Sequence, residues 1–297
     1  MTQTNHAAAI DQALQGALLP LDPAGRELLA LGAELRRTAP EGMLDPQVRA
    51  NLRAELLAAH PAAARPQAST QPLHYTSFET PVGALLVAFR GVTVVTTDLA
   101  VDRGLFEREC RARLGESPVY VAEPPSALVR AITAVTEGHR RYTGKVDLAA
   151  APDFQRRVLI ETLKIRPGEV RSYGWLARQV GQPGAARAVG TAMAHNPIPV
   201  LIPCHRVVRS DYHIGEYGCG GPSKKREILA HEGVDVDALE RLARAGVRFI
   251  GSDTTRIFCV PGCGAGRRLT PQHTQHFTSE TQARTAGYRP CKVCKPV

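Results

Sequence analysis

The run Ile202-Pro203-Cys204-His205-Arg206-Val207 sets a thiol beside an imidazole, in a turn stiffened by proline and followed by a cation. A free cysteine titrates near ~8.5, so only a few per cent is thiolate at neutral pH. A neighbouring histidine and an electropositive surround can lower that value by several units. Cys204 is therefore a candidate sulfur nucleophile. Glu232, in the run His231-Glu232-Gly233, is the carboxylate that could orient His205 and keep it basic. Cys204, His205 and Glu232 have the makings of a nucleophile, base and orienter. Their spacing alone does not bring them together.

A second chemistry stands at the far end. Cys259 and Cys263 are separated by three residues, Cys291 and Cys294 by two, with 27 residues between the pairs. Two close pairs of thiols favour a tetrahedral Zn²⁺ site, and a basic unit of some 50 residues with few apolar side chains needs such a staple. No organic cofactor is implied.

Several elements must position these groups. In residues 153–180, Phe154, Val158 and Leu163 form an apolar stripe that Pro167-Gly168 interrupts. Ser172 can cap a helix over 173–180, and Gly181 can end it. A second helix is expected over 185–194 after the turn Gln182-Pro183-Gly184. Two short helices about a tight turn make a helix-turn-helix candidate. The second is thin, with Ala185, Ala186, Ala188, Gly190, Ala192 and Ala194, and Arg187 is its one long polar residue. A helix that reads bases in the major groove carries several. This one suits close approach to a narrow groove or a backbone with little sequence readout; tight packing in a core would explain the alanines but not Arg187. A further helix is expected over 223–230.

Upstream, Thr80-Pro81-Val82-Gly83 reads as a turn, and 84–89 and 92–97 as a hairpin about Arg90-Gly91. Helices are expected over 105–114, holding Cys110 as a small core residue, and over 126–143, with Leu128, Ile132, Val135 and His139 on one face. Residues 1–65 read as helical, with Asp45-Pro46 as a helix start, and 60–72 as a Pro/Ala/Ser-rich linker.

The net charge of +9 is uneven: −1 over residues 1–71, 0 over 72–150, +4 over 151–245 and +6 over 246–297. The half holding the cysteine motifs is the basic half, which suits an anionic partner, nucleic acid before membrane. The start is polar and unlike a signal peptide, and no apolar run approaches the ~20 residues that span a bilayer. A cytoplasmic setting with reduced cysteines and no membrane partner is expected, and so is a monomer.

Residues 153–233 resemble the active-site domain of the O6-alkylguanine-DNA alkyltransferases. The likeness rests on Gly168-Glu169-Val170-Arg171-Ser172-Tyr173, Ala186-Arg187-Ala188-Val189-Gly190, Asn196-Pro197, the Pro-Cys-His-Arg-Val run, Tyr217, Gly220-Gly221, Lys225 and His231-Glu232-Gly233, in one order over about 80 residues. It implies that Cys204 takes an alkyl group from a guanine flipped out of duplex DNA, with His205 and Glu232 removing the thiol proton. Tyr173 would donate to the leaving base and Arg187 would fill the gap in the stack. Asn196 would brace the turn and Lys225 would line the pocket. Ala186, Ala188, Gly190 and Tyr217 belong to the implied DNA surface. A thioether is a poor leaving group, so each molecule would act once.

Residues 255–296 are similar to the Ada-type metal-binding domain through Thr255-Arg256-Ile257-Phe258-Cys259, Ala286-Gly287-Tyr288-Arg289-Pro290-Cys291, Cys294 and Pro296. In that family the first cysteine accepts methyl groups from phosphotriesters, and Cys259 holds the matching position. Two departures stand out. Gly218-Cys219 separate Tyr217 from Gly220-Gly221, which bears on alkyl preference and leaves Cys219 as an incidental loop thiol, a second acceptor or a redox partner. Gly264-Ala265-Gly266 replaces Arg-rich sequence after Cys263, and the module lies at the other end of the chain from its usual place, so a structural zinc module stands beside a methyl acceptor as a reading. The implied fold is α+β: a ribonuclease H-like α/β domain (72–151), a winged helix-turn-helix active-site domain (152–240), a helical N-terminal segment (1–71) and a small zinc domain (246–297). Two other functions compete. A non-catalytic damage sensor would not need the thiol, and a Cys-His hydrolase would leave Arg187 and the alanine helix unexplained.

Overall fold

The computed structural model describes residues 71–99, 102–138, 140–266 and 269–296. The helices and linker expected before residue 71, His139 and Arg267-Arg268 lie outside them. Residues 102–117 belong to one compact unit, and 71–99 with 118–296 to a second. The architecture is α+β, as expected.

Strands β1 (His74–Phe78), β2 (Leu85–Arg90) and β3 (Thr93–Leu99) form an antiparallel meander. Thr80 to Gly83 makes the expected turn, with Gly83 N–H donating to Thr80 O at 3.0 Å. Gly91, at φ +57°, supplies the left-handed residue of the tight β2–β3 connection. Helix α1 (Arg103–Leu114), in the first unit, starts on an Asp102 side-chain cap and ends at a left-handed Gly115. It buries Cys110, as expected of a core residue.

In the second unit β4 (Val119–Tyr120) adds parallel to β1 and β5 (Lys145–Val146) parallel to β3, giving the order β4-β1-β2-β3-β5. Helix α2 (Ser126–Thr136) is shorter than the expected 126–143. Gly138, at φ +76°, turns the chain out of the helix. Leu128, Ile132 and Val135 are buried in the same apolar cluster as Leu85, Val87, Phe89 and Val94 of the sheet.

That cluster runs on through α3 (Asp153–Thr162), α4 (Tyr173–Gln179) and α5 (Ala186–Ala194) by way of Val158, Leu159, Leu176 and Val189, and reaches Cys204. Strand β6 (Arg171–Ser172) pairs in parallel with β7 (Val207–Val208). Helix α6 (Gly221–His231) begins two residues before the expected start, and α7 (Val236–Arg244) follows on an Asp235 cap. The C-terminal part holds β8 (Phe249–Ser252), β9 (Ile257–Cys259), β10 (Thr274–Phe277), helix α8 (Glu280–Thr285) and β11 (Arg289–Pro290), with sheet order β10-β8-β9-β11. Phe258, Phe277, Ala283 and Tyr288 form its small core. Gly251 is required there, since a Cβ would lie 2.7 Å from the Tyr288 ring and 2.8 Å from that of Phe277.

Candidate active site

Cys204, His205 and Arg206 form a single 3₁₀ turn between an apolar run and β7. Asn196 holds the approach to that turn. Its Oδ1 accepts from Ile198 N–H at 3.0 Å, and its Nδ2 donates to Ile202 O at 3.0 Å and Cys204 Sγ at 3.1 Å. The sheet braces the same segment, because Thr96 and Thr97 hydroxyls donate to Pro197 O (2.7 Å) and Pro199 O (2.6 Å). Val200 is left at φ +72°, a costly conformation for a β-branched residue that persists only where its surroundings over-determine it.

The three groups singled out by type do meet in part. His205 Nε2 lies 2.9 Å from Glu232 Oε1. Arg206 Nε donates to Glu232 Oε2 at 2.8 Å and its Nη2 to Oε1 at 2.6 Å. Arg206, 1% exposed, also donates from Nη1 to Ile165 O at 2.6 Å. Burial alone would raise the Glu232 carboxyl, but His205 and the Arg206 fork outweigh it and hold the group down to about 2. An ionised carboxylate only accepts, so His205 must carry its proton on Nε2. Burial, with help from Arg206 and Lys225, keeps the ring neutral by lowering its pKa against the pull of Glu232. Nδ1 is then a bare lone pair. It is fully buried and has no protein partner among the described residues. Among the described residues the only other such side-chain atom is Tyr217 Oη, whose ring meets the His205 ring edge-on at 6.3 Å.

The thiol differs from the expectation of a depressed pKa. Burial pushes the Cys204 thiol up, and the Asn196 hydrogen bond and the Lys225 charge offset only part of that. The resting sulfur is a protonated thiol, 7% exposed. Iodoacetamide should therefore alkylate Cys204 at pH 7.5 at least roughly tenfold more slowly than it does a free cysteine. Mass spectrometry of the Cys204 peptide measures this, and labelling faster than free cysteine would show a standing thiolate. Lys225 Nζ donates to Val207 O at 2.7 Å and Glu216 O at 3.2 Å, and burial draws its pKa down to about 8. Burial raises the Tyr173 phenol, and the neighbouring Cys204 and Glu216 add to that. Burial likewise pushes the Cys219 thiol well up, and Cys219 Sγ donates to Asp98 Oδ1 at 3.3 Å.

Ser172 caps α4 as expected, its Oγ accepting from Trp175 N–H at 3.1 Å. Helix α5 buries Val189, Ala192 and Met193 and exposes Arg187, Ala188 and Thr191, with Ala186 and Gly190 half-buried beside them. Nothing lies within 4 Å of a Cβ built on Gly190. Arg187 thus stands on an open, short-chained face.

The sulfurs of Cys259, Cys263, Cys291 and Cys294 all lie within 4.8 Å of one another, and all four residues are buried. Four thiolates on one Zn²⁺ at ~2.3 Å would stand roughly 3.8 Å apart, so the donor set and its spacing fit a tetrahedral zinc.

Comparison with known proteins bears on both sites. The family model for the 6-O-methylguanine DNA methyltransferase DNA binding domain matches residues 153–234, and that for the metal binding domain of Ada matches 239–297. A methylated-DNA–protein-cysteine methyltransferase of Mycobacterium tuberculosis is 37% identical over 164 residues, which is 54% of this chain and 92% of that protein. The chain belongs to the methylated-DNA–protein-cysteine methyltransferase family. The rat methyltransferase is 51% identical over 100 residues, 33% of this chain and 46% of that protein. Among solved structures, that of Mycobacterium tuberculosis OGT in complex with DNA aligns at 33% identity and a TM-score of 0.45, covering 56% of this chain and 98% of that one. As a methyltransferase of this family the chain has DNA repair by alkyl transfer as its activity class. Among the described residues no helix is long and apolar enough to cross a membrane.

Proposed function

We propose that the protein removes alkyl groups from O6-alkylguanine in duplex DNA by transferring them to Cys204 Sγ, once per molecule. The observation that carries this is the His205 Nδ1 lone pair, without a partner among the described residues on the residue that follows the buried thiol, while Nε2 is fixed on Glu232. In the transfer the S–H proton passes to Nδ1, through a bridging water, as the sulfur attacks the alkyl carbon. The S–C bond forms and the C–O6 bond breaks. The electron pair moves into the purine, whose O6 becomes a carbonyl, and Tyr173 delivers a proton to the ring. His205 then returns a proton to Tyr173 through solvent, so that one proton leaves the thiol, one is gained by guanine, and both side chains end as they began. Burial of the thiol matches this order of events, because the charge develops only as it is consumed. Asn196 positions the sulfur. Lys225 and Tyr217 line the pocket.

The target base is reached by flipping. The α4–α5 pair acts as the helix-turn-helix of a winged domain, Arg187 occupies the vacated stack, and Ala186, Ala188 and Gly190 permit close approach. The five-stranded sheet with α2 is the ribonuclease H-like domain, and the protein works as a monomer. O4-alkylthymine is a second substrate on the same chemistry. The four cysteines hold Zn²⁺, and Cys259 as a zinc thiolate accepts methyl groups from phosphotriesters.

Incubation with an O6-methylguanine duplex should add one methyl group to the Cys204 peptide. An unmodified peptide with the lesion intact refutes the proposal. Arg187→Ala should slow transfer from the duplex roughly 10–100-fold, because extrusion costs a few kcal/mol that Arg187 would offset. Transfer from free O6-benzylguanine, which needs no extrusion, should hold its rate. Equal losses on both substrates would remove Arg187 from that role.

A further inference from the structure

The geometry points to a second task for the four-cysteine module. We propose that it is a buttress for the strand and helix that carry Tyr173, so that alkyl transfer depends on the metal-loaded state. The inference rests on the alkyltransferase reading and on zinc at the four thiols.

Each cysteine pair supplies one anchor. Between Cys259 and Cys263, Gly262 O accepts from Val170 N–H at 3.0 Å and from Arg171 Nη1 at 3.3 Å. Just beyond, Gly264 N–H donates to Glu169 Oε1 at 3.2 Å. At the other pair, Cys294 O accepts the indole N–H of Trp175 at 2.9 Å. Residues 169, 170, 171 and 175 thus bracket Tyr173 from both sides and end on the two halves of the cluster. Glu169 and Arg171 form a buried ion pair at 2.9 Å, and the Arg171 guanidinium lies 5.4 Å from the centre of the Trp175 ring.

The approach is close. A Cβ on Gly262 would strike the Val170 side chain and lie 3.0 Å from Val170 O, and one on Gly264 would strike the Glu169 carboxylate. The four cysteines share a single apolar cluster with Val170, Val208, Leu229 and Leu239. From Arg171 the path is short. Strand β6 pairs with β7, which follows Cys204-His205-Arg206 without a break, and Tyr173 follows Ser172. Strands β9 and β11 pair with each other up to Cys259 and Cys291, and the shared metal would clamp together the turns beyond them, where both anchors sit. Loss of the metal would free both, loosening Tyr173 on one side and the β7 end of the thiol turn on the other.

Trp175 is the only tryptophan in the chain, so its emission reports this joint alone. Full-length zinc-loaded protein is treated with a chelator, and Trp175 emission, released zinc, circular dichroism and single-turnover transfer to Cys204 from free O6-benzylguanine are followed together. Stripping should shift the emission to the red in step with zinc release and cut the maximal transfer rate at least tenfold, and re-added zinc should restore both. Trp175→Phe, which keeps the packing and removes the N–H, should retain full zinc and its circular dichroism yet transfer roughly 3–10-fold more slowly. The loss should fall in the maximal rate and not in the half-saturating concentration. Stripped protein that transfers at the loaded rate overturns the proposal, as does emission indifferent to zinc. Should stripping unfold the protein, Trp175→Phe and Gly262→Ala decide, and zinc-loaded variants with undiminished rates overturn it. Zinc-loaded wild-type protein that transfers nothing would instead defeat the alkyltransferase reading.

Discussion

Cys204→Ala is expected to abolish alkyl transfer from O6-alkylguanine while leaving the fold and DNA binding intact. The sulfur is the only heavy atom removed, and it rests as a neutral thiol that accepts a hydrogen bond from the Asn196 amide at 3.1 Å. Asn196 keeps its bond to Ile202 O and its acceptance from Ile198 N–H, so no buried charge is created, and the loss is one sulfur atom and the acceptor of one Nδ2 hydrogen. Together these cost about 2 kcal/mol. The variant should therefore bind O6-methylguanine duplex within about threefold of wild type and leave the lesion unrepaired without limit of time. Gel-shift and lesion-release assays on one preparation test both halves. Residual transfer at another cysteine, Cys219 in particular, would show a second acceptor and sink the single-sulfur mechanism.

The second large effect belongs to Glu232→Gln. The carboxylate carries two roles at once, fixing the Nε2–H tautomer of His205 and balancing the buried charge of Arg206. An amide can accept from one of these partners, but it brings no charge. Leaving a buried guanidinium uncompensated costs about 3 kcal/mol, read as a shift in the urea midpoint at pH 7. The pH dependence has a definite sign. The folded carboxyl is held at about 2, below its ordinary 4.5, so its contribution is present in full above 4.5 and drains away as pH falls toward 2. The stability gap between wild type and variant should accordingly close on acidification through that window. Transfer should also slow at least tenfold, since the neutral ring loses the partner that reserves Nδ1 for the thiol proton. A gap independent of pH would show that the carboxylate does not act through its charge.

The proposed nucleophile, base and carboxylate are legible in the chain because their side chains name their own chemistry and only three groups are needed. The cluster of four cysteines is legible for the same reason, reinforced by spacing. Arg206 is the residue whose role type alone does not reveal. It stands next to His205 in the sequence, yet its importance comes from reaching Glu232 and Ile165 O at once, contacts made across 26 and 41 residues. Thr96 and Thr97 are invisible for the same reason, since adjacent threonines in a strand look like ordinary β-formers. The thiol's raised pKa is likewise a property of burial, which a Cys-His pair does not reveal. Helix ends are legible where a cap chooses them, as at Ser172. The end of α2 is not, because helical spacing alone carries the expected face on to His139, and the left-handed turn at Gly138 overrides it.

If helix α5 faces duplex DNA as proposed, it offers one long side chain and otherwise alanine, glycine and threonine. Such a face has no means of telling one stretch of undamaged helix from the next, so its hold on each should be nearly uniform and set by salt. Finding a lesion then becomes a matter of how fast the molecule travels and how long it tests each base, with no address to consult along the way.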